Sequence, residues 1–159
     1  MEKIGLNTIE PTFQVSPYEK FKTEWESFIT DGNRAFSAGA LNTAESCYSE
    51  ASKTARYLLD QGYVNKASIS MLLVGYHNSA DLYIRKNDPE TALDRLSTAL
   101  RTLFNFPEEC IDCEQKRDAL EWGTIRAKRQ LCLFLKSHPT MQQQQLDFLT
   151  SQCLKTDHH

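Results

Sequence analysis

The side chains with the plainest chemical potential are the two thiols of Cys110-Ile111-Asp112-Cys113. A Cys-x-x-Cys pair near a helix N-terminus can hold a thiolate, because the dipole and the unpaired N–H groups favour an anion. It can also supply two ligands of a tetrahedral zinc site. The neighbouring carboxylates Glu108, Glu109, Asp112 and Glu114 oppose the thiolate. The zinc site lacks its other half: there is no second Cys-x-x-Cys and no His-x-x-x-His, so Cys153, His138 or the terminal His158 and His159 would have to fold back. Nothing here reads as the strand-to-helix setting of a thioredoxin-like site. The simplest expectation is a pair of reduced, partly exposed thiols, with a zinc- or thiol-based sensor at Cys110 and Cys113 as an alternative. Cys47 and Cys132 fall within apolar helical patterns and are expected to pack as small hydrophobes. His77 lies four residues before Asp81 on one helix face. An imidazole beside a carboxylate is a general-base arrangement when a nucleophile is near, but Ser70 and Ser79 occupy no nucleophile turn. Without a phosphate loop, a paired-carboxylate site or a complete metal set, the expectation is a non-enzymatic protein with no cofactor.

The elements that position these groups are helices. Ser16-Pro17-Tyr18-Glu19 combines a capping serine, a proline at the first helical position and a glutamate three residues after the cap. From there Tyr18, Phe21, Trp25, Phe28, Ile29, Gly32 and Phe36 form one stripe at helical spacing. Gly39 suits the left-handed position beyond a helix end. A second helix is expected to open at Asn42 with Glu45 and to close at Gly62. A third is expected from near Asn65 to Asn87, and a fourth from Asp88-Pro89 to about Leu103. After Pro107 the pattern predicts a fifth helix to about Lys136, with acidic residues early and Arg126, Lys128, Arg129 and Lys136 late, an order that complements the helix dipole. Thr140 with Gln143 marks a sixth, running to about Leu154. Residues 1–15 read as an extended N-terminal segment, 16–154 as a single helical domain and 155–159 as a flexible tail.

Two of these helix pairs carry the same pattern. Gly32, Gly39, Ala44, Tyr48 and Ala51 in the first are matched 48 residues later by Ala80, Asn87, Ala92, Leu96 and Ala99. Self-similarity at such a period is the signature of stacked helical hairpins, each burying its apolar face against the next. At Gly32, Ala44, Tyr48 and Ala51, and again at Ala80, Tyr83, Ala92, Leu96 and Ala99, the chain resembles the tetratricopeptide repeat. The resemblance covers about Trp25 to Leu103. The departures are a period of 48 against the family's ~34 residues, Asp31 and Ser79 where the family prefers leucine, and Phe28 and Tyr76 in place of its tryptophan. The longer period predicts helices one or two turns longer. The fold this implies is all-α: six helices as three stacked antiparallel hairpins in a right-handed, tetratricopeptide-like superhelix.

The resemblance also implies a function. Proteins of this architecture hold peptides or partner helices on a concave face lined by the first helix of each pair. The matching positions are Glu26, Ile29, Asn33, Phe36 and Ser37 in the first pair and Val74, His77, Asp81, Ile84 and Arg85 in the second. On this reading Asn33 hydrogen-bonds a peptide backbone and Arg85 meets a carboxylate; read from the residues alone, Asp81 and Arg85 are a solvated i,i+4 pair and Ile29, Phe36 and Ile84 are core. The expected role is a protein- or peptide-binding adaptor, with a secretion- or regulator-type chaperone as an alternative. A formal net charge of −3 gives no reason to expect nucleic acid. No segment approaches the ~20 apolar residues of a membrane span, so no membrane partner is expected. No signal peptide is read at the N-terminus, and an odd count of five cysteines argues against a disulfide framework, so the expected location is cytoplasmic. The apolar residues Ile4, Leu6, Ile9 and Phe13 offer a way to form a homodimer or to fill the protein's own groove.

Overall fold

The structure is a computed structural model that describes residues 14–142. Those residues form five α-helices, α1 (Pro17–Ser37), α2 (Leu41–Asp60), α3 (Lys66–Arg85), α4 (Pro89–Phe104) and α5 (Glu114–Ser137), with single 3₁₀ turns at Glu108–Cys110 and Pro139–Met141. Among the described residues there are no strands. The sixth helix and the two terminal segments expected from the sequence lie almost wholly outside the described residues.

The helix ends follow local chemistry. Ser16 Oγ accepts from the Glu19 N–H at 3.2 Å, and Pro17 opens α1. Asn65 and Asp88 cap α3 and α4 in the same way, through the N–H groups of Ser68 and Thr91 at 2.9 and 3.1 Å. Three helices end alike. Gly39, Gly62 and Asn87 take positive φ values of 77°, 92° and 58°. At each, two N–H groups turn back onto carbonyls of the last turn, as from Asp88 to the Tyr83 carbonyl at 2.8 Å. Gly39 and Asn87, one repeat apart, therefore close α1 and α3 with the same turn.

Two boundaries differ from the sequence reading. The cap of α2 is Ala40, with no side-chain bond, and Asn42 lies inside the first turn, where it accepts from Lys86 Nζ at 3.2 Å. Asn42 and Glu45 look like a cap because a capping box and a polar helix surface have the same spacing; here both side chains turn to α3 instead. The fifth helix starts at Glu114, not after Pro107. The acidic stretch before it makes a 3₁₀ turn, so Cys110 lies outside the helix and Cys113 is its uncapped N-cap.

The small residues shared by the helices of the two matching segments are buried. Ala44, Ala51, Ala92 and Ala99 are all fully buried, Tyr48 and Leu96 are 2% and 6% exposed, and Gly32 and Ala80 are buried as well. Small residues at these positions let successive helices approach closely. A Cβ on Gly32 would stand 2.7 Å from the Tyr48 ring, and one on Gly123 2.4 Å from Ile69 Cγ2. Around the contacts Leu58, Leu59, Ile69, Leu72, Leu82 and Leu131 fill a continuous core, each worth about 1.5–3 kcal/mol of apolar burial.

Each helix packs on the one before it, and α5 also reaches back to α3. Direction can be read from the bonds. Trp25 Nε1 donates to the Met71 carbonyl (3.1 Å), Asn78 Nδ2 to Asn33 Oδ1 (3.3 Å) and Arg85 Nη1 to the Phe36 carbonyl (3.0 Å). Contacts therefore advance along α1 and α3 together, which makes those helices parallel. Gly123 meets Ile69, and residues 130–138 face 77–84, so α5 continues the parallel layer. The helices α2 and α4 fill the antiparallel positions between them.

Candidate functional site

The helix α3 forms a wall of two depressions. On one side a cleft of about 530 Å³ lies between α2 and α4, with Tyr76 and Ser79 of α3 in its floor. On the other, a groove of about 240 Å³ runs between α3 and α5, over Leu96 of α4. The groove takes His77, Ala80, Asp81 and Ile84 from α3 and Gln130, Leu133, Phe134, Ser137 and His138 from α5. These positions recur at three- and four-residue intervals, so each set forms one helix face. The helices touch at Gly123 and Ile69, where the absent Cβ allows contact, and leave room further along.

The cleft is electrostatically complete. Each charged residue lining it already has a protein partner: Glu45 pairs with Lys86 at 2.7 Å, Lys53 with Glu50 at 3.1 Å, Arg56 with Asp60 at 3.2 Å and Arg95 with Asp94 at 3.2 Å. Tyr83 also donates to Glu45. The hydrogen bonds from Lys86 and Tyr83 hold the Glu45 carboxyl below its ordinary value.

The groove is not complete. Its floor is apolar, with Ala80, Leu96 and Phe134 at 2%, 6% and 6% exposure, while Ile84 and Leu133 stand exposed on opposite rims. Asp81 is exposed and has no ion pair or hydrogen bond among the described residues, and partial desolvation by the groove pushes its carboxyl above the usual range. His77 is mostly buried, which pushes its imidazole below its ordinary value and leaves it neutral at pH 7. Its Nε2 is fully buried without a hydrogen-bond partner; among the described residues only Ser68 Oγ shares that state. Across the groove His138 stacks on Phe134, ring centroids 4.2 Å apart, with Nδ1 3.0 Å from the Phe134 carbonyl.

The ten positions expected to line one face divide into groups. His77, Asp81 and Ile84 meet in the groove. Asn33, Phe36 and Arg85 instead join α1 to α3: Asn33 Oδ1 accepts from Tyr48 at 2.8 Å as well as from Asn78, and the Arg85 guanidinium lies 4.8 Å from the Phe36 ring centre. The i,i+4 pair of Asp81 with Arg85 does not form, because Arg85 turns to Phe36. Ile29 packs partly buried against the core, Val74 is half-buried, and Glu26 and Ser37 are exposed. The sequence reading missed the α5 wall. Its signal was present as Gln130, Leu133, Phe134, Ser137 and His138 at helical spacing, but α5 carries no copy of the repeat motif.

Cys110 and Cys113 are exposed, and among the described residues no three His, Cys, Asp or Glu side chains converge on a metal-sized site. Cys132 is exposed rather than packed, since its helical position faces away from α3 and α4, whereas Cys47 is half-buried and its thiol is pushed up by desolvation. No helix among the described residues is long and apolar enough to cross a membrane.

One family model, described as Protein of unknown function (DUF2753), matches residues 23–156, and the chain belongs to that family. No curated protein and no solved structure matches it.

Proposed function

We propose that this member of the DUF2753 family is a non-enzymatic, cytoplasmic protein- or peptide-binding module whose binding site is the groove between α3 and α5. The observation that carries the reading is the combination of an apolar floor, two exposed aliphatic rims and an exposed carboxylate, Asp81, without a partner among the described residues. Binding surfaces combine a desolvated apolar centre with a few polar groups that fix orientation. The parallel layer of α1, α3 and α5 supports the tetratricopeptide-like architecture expected from the sequence. On this proposal the sixth helix completes a third hairpin in a right-handed superhelix.

The proposal narrows the face expected from sequence. The α1 half holds the scaffold together through Asn33 and Phe36, and recognition lies with Asp81 and Ile84 opposite Leu133, with His77 buried beneath them. Truncating a central anchor of such a surface typically costs 2 kcal/mol or more, about thirtyfold in affinity. The test is a quantitative co-purification with mass spectrometry, comparing wild type with Leu133→Glu and with Lys53→Glu in the α2–α4 cleft. Both substituted residues are exposed, so both variants should fold, which circular dichroism checks. A partner lost only by Leu133→Glu supports the groove; a partner lost only by Lys53→Glu moves the site to the cleft.

A further inference from the structure

We infer that the groove between α3 and α5 selects a basic, apolar segment of a partner protein, with a lysine or arginine at Asp81 and a neighbouring aliphatic or aromatic side chain between Ile84 and Leu133. The inference rests on the proposed binding role and adds the chemistry of the partner.

Charge complementarity carries it. Asp81 is the sole Asp, Glu, Lys or Arg in the groove lining; α5 contributes only Gln130, Leu133, Phe134, Ser137 and His138. Every carboxylate lining the opposite cleft has a cationic partner, and among the described residues Asp81 has none. Its closest candidate, Arg85, is held by the Phe36 carbonyl and ring. Asp81 is exposed, so it stands beside the apolar floor rather than in it, and a carboxylate so placed can accept a charge-assisted hydrogen bond from a guanidinium or ammonium group. Both basic side chains also carry an aliphatic stem that can lie against Ala80 and Leu96.

The other unpartnered polar atom, Nε2 of His77, is itself fully buried beneath the groove, so a peptide meets the surface around it and not the nitrogen. The rims suit an apolar neighbour, since Ile84 and Leu133 are 42% and 52% exposed on either side of the floor. At about 240 Å³ the groove is smaller than the ~300–1,000 Å³ of small-molecule pockets. It has room for one or two side chains of a longer segment that continues over the surface.

The experiment is selection of a displayed random dodecapeptide library on the full chain, in parallel on wild type, Asp81→Arg and Leu133→Glu. A selected peptide is then labelled with fluorescein, and its affinity is measured by anisotropy against wild type and Asp81→Asn. The expected result is enrichment of Lys or Arg beside an aliphatic or aromatic residue on wild type. Asp81→Arg should exchange the basic preference for Asp or Glu, and Asp81→Asn should weaken the labelled peptide by about tenfold or more, the worth of a charge-assisted hydrogen bond. Peptides that need Leu133 but show no basic preference, and bind Asp81→Asn as well as wild type, would overturn this inference and leave the binding role standing. Peptides indifferent to Leu133→Glu would overturn both. Two further results would also overturn it. One is a dimer by sedimentation that Leu133→Glu dissociates, which makes a second copy the occupant. The other is a wild type that binds nothing until Ile4, Leu6, Ile9 and Phe13, or Leu146, Phe148 and Leu149, are changed to serine, which makes the chain its own ligand.

Discussion

The two sides of α3 are built from the same residue types to different ends. Toward α2 and α4, the charged groups close on one another. Glu45 takes Lys86 and Tyr83, and the cleft's other ions find partners one helical turn away or next in the chain. Toward α5, the exposed Asp81 stands beside an apolar floor with no ion pair or hydrogen bond among the described residues, and Nε2 of His77 is buried without a partner. The larger depression is thus the more self-sufficient one. Size alone would have placed the site in the α2–α4 cleft, and only an account of hydrogen bonds and charges sends attention to the smaller groove. Folding favours satisfied polar groups, since an unsatisfied buried one costs about 1–3 kcal/mol. A surface that keeps such groups is therefore a better candidate for recognition than one that has paired them.

The comparison breaks most severely if α5 is lifted from α3. Gly123 is where the helices touch: an added Cβ would lie 2.4 Å from Ile69 Cγ2 and 3.0 Å from Leu103 Cδ1, and Ile69 is fully buried. Gly123→Val is expected to lower stability by about 3 kcal/mol, the upper end of overpacking losses, and to disrupt the groove. The counterpart on the other side of α3 is Gly75, whose added Cβ would lie 2.6 Å from Ser52 Oγ, a single rotatable atom, and 3.3 Å from the Ser52 amide nitrogen. Gly75→Ala should therefore change stability by less than about 1 kcal/mol, the gain in helix propensity offsetting part of the clash. Urea denaturation of both variants measures the difference, and equal effects would mean that α5 is not seated on Ile69.

Of intermediate size are two changes expected to have opposite signs. His77→Leu replaces a buried ring nitrogen without a partner by an apolar group of similar bulk, and should raise stability by about 1 kcal/mol. Tyr48→Phe removes the hydroxyl that donates to Asn33 at 2.8 Å and should lower it by about 1 kcal/mol. Chemical denaturation again decides. A destabilised His77→Leu protein would show that the buried imidazole is a structural group.

These signs were only partly legible in the sequence. The repeat itself was plain, because small residues at close contacts leave a spacing: Gly32, Ala44, Ala51, Ala80, Ala92 and Ala99 were all found and all are buried. Caps with a short side chain directly before a helix were found too, at Ser16, Asn65 and Asp88. Ala40 was not, since a helix that starts without a side-chain bond leaves no mark. The binding face was half visible. A repeat motif names positions on the first helices of its own pairs, so His77, Asp81 and Ile84 emerged and the α5 wall did not. The motif also treats α1 and α3 alike, although Asn33 and Phe36 of α1 are taken up by bonds to α2 and α3. That Arg85 would choose Phe36 over Asp81 is a tertiary fact, decided by a ring and a carbonyl 49 residues away in sequence.

The smallest expected effect is a difference in the sign of pH dependence between the two sides of α3. Asp81 keeps its proton more tightly in the folded protein than its ordinary value of 3.8 implies, because the carboxylate is partly desolvated. Below that value it is protonated in both states. As pH rises through the folded-state value the native protein must carry an unpaired charge, and stability falls. Glu45 behaves oppositely: its bonds from Lys86 and Tyr83 favour the anion, so its contribution is present above the ordinary value of 4.5 and is lost as pH falls through the depressed one. His77 adds to the acid loss, because its depressed imidazole resists the charge that the unfolded chain accepts below 6.5. Compared with wild type, Asp81→Asn should therefore have the higher urea midpoint at neutral pH and Glu45→Gln the lower, both differences fading in acid. Glu45 and Asp81 are both partly exposed, so the shifts in midpoint are small and salt-sensitive, and their opposite direction is the quantity to measure. Two shifts of the same sign would mean that Asp81 has found a cation on its own chain, and the groove would then be as closed to a basic partner as the cleft behind it.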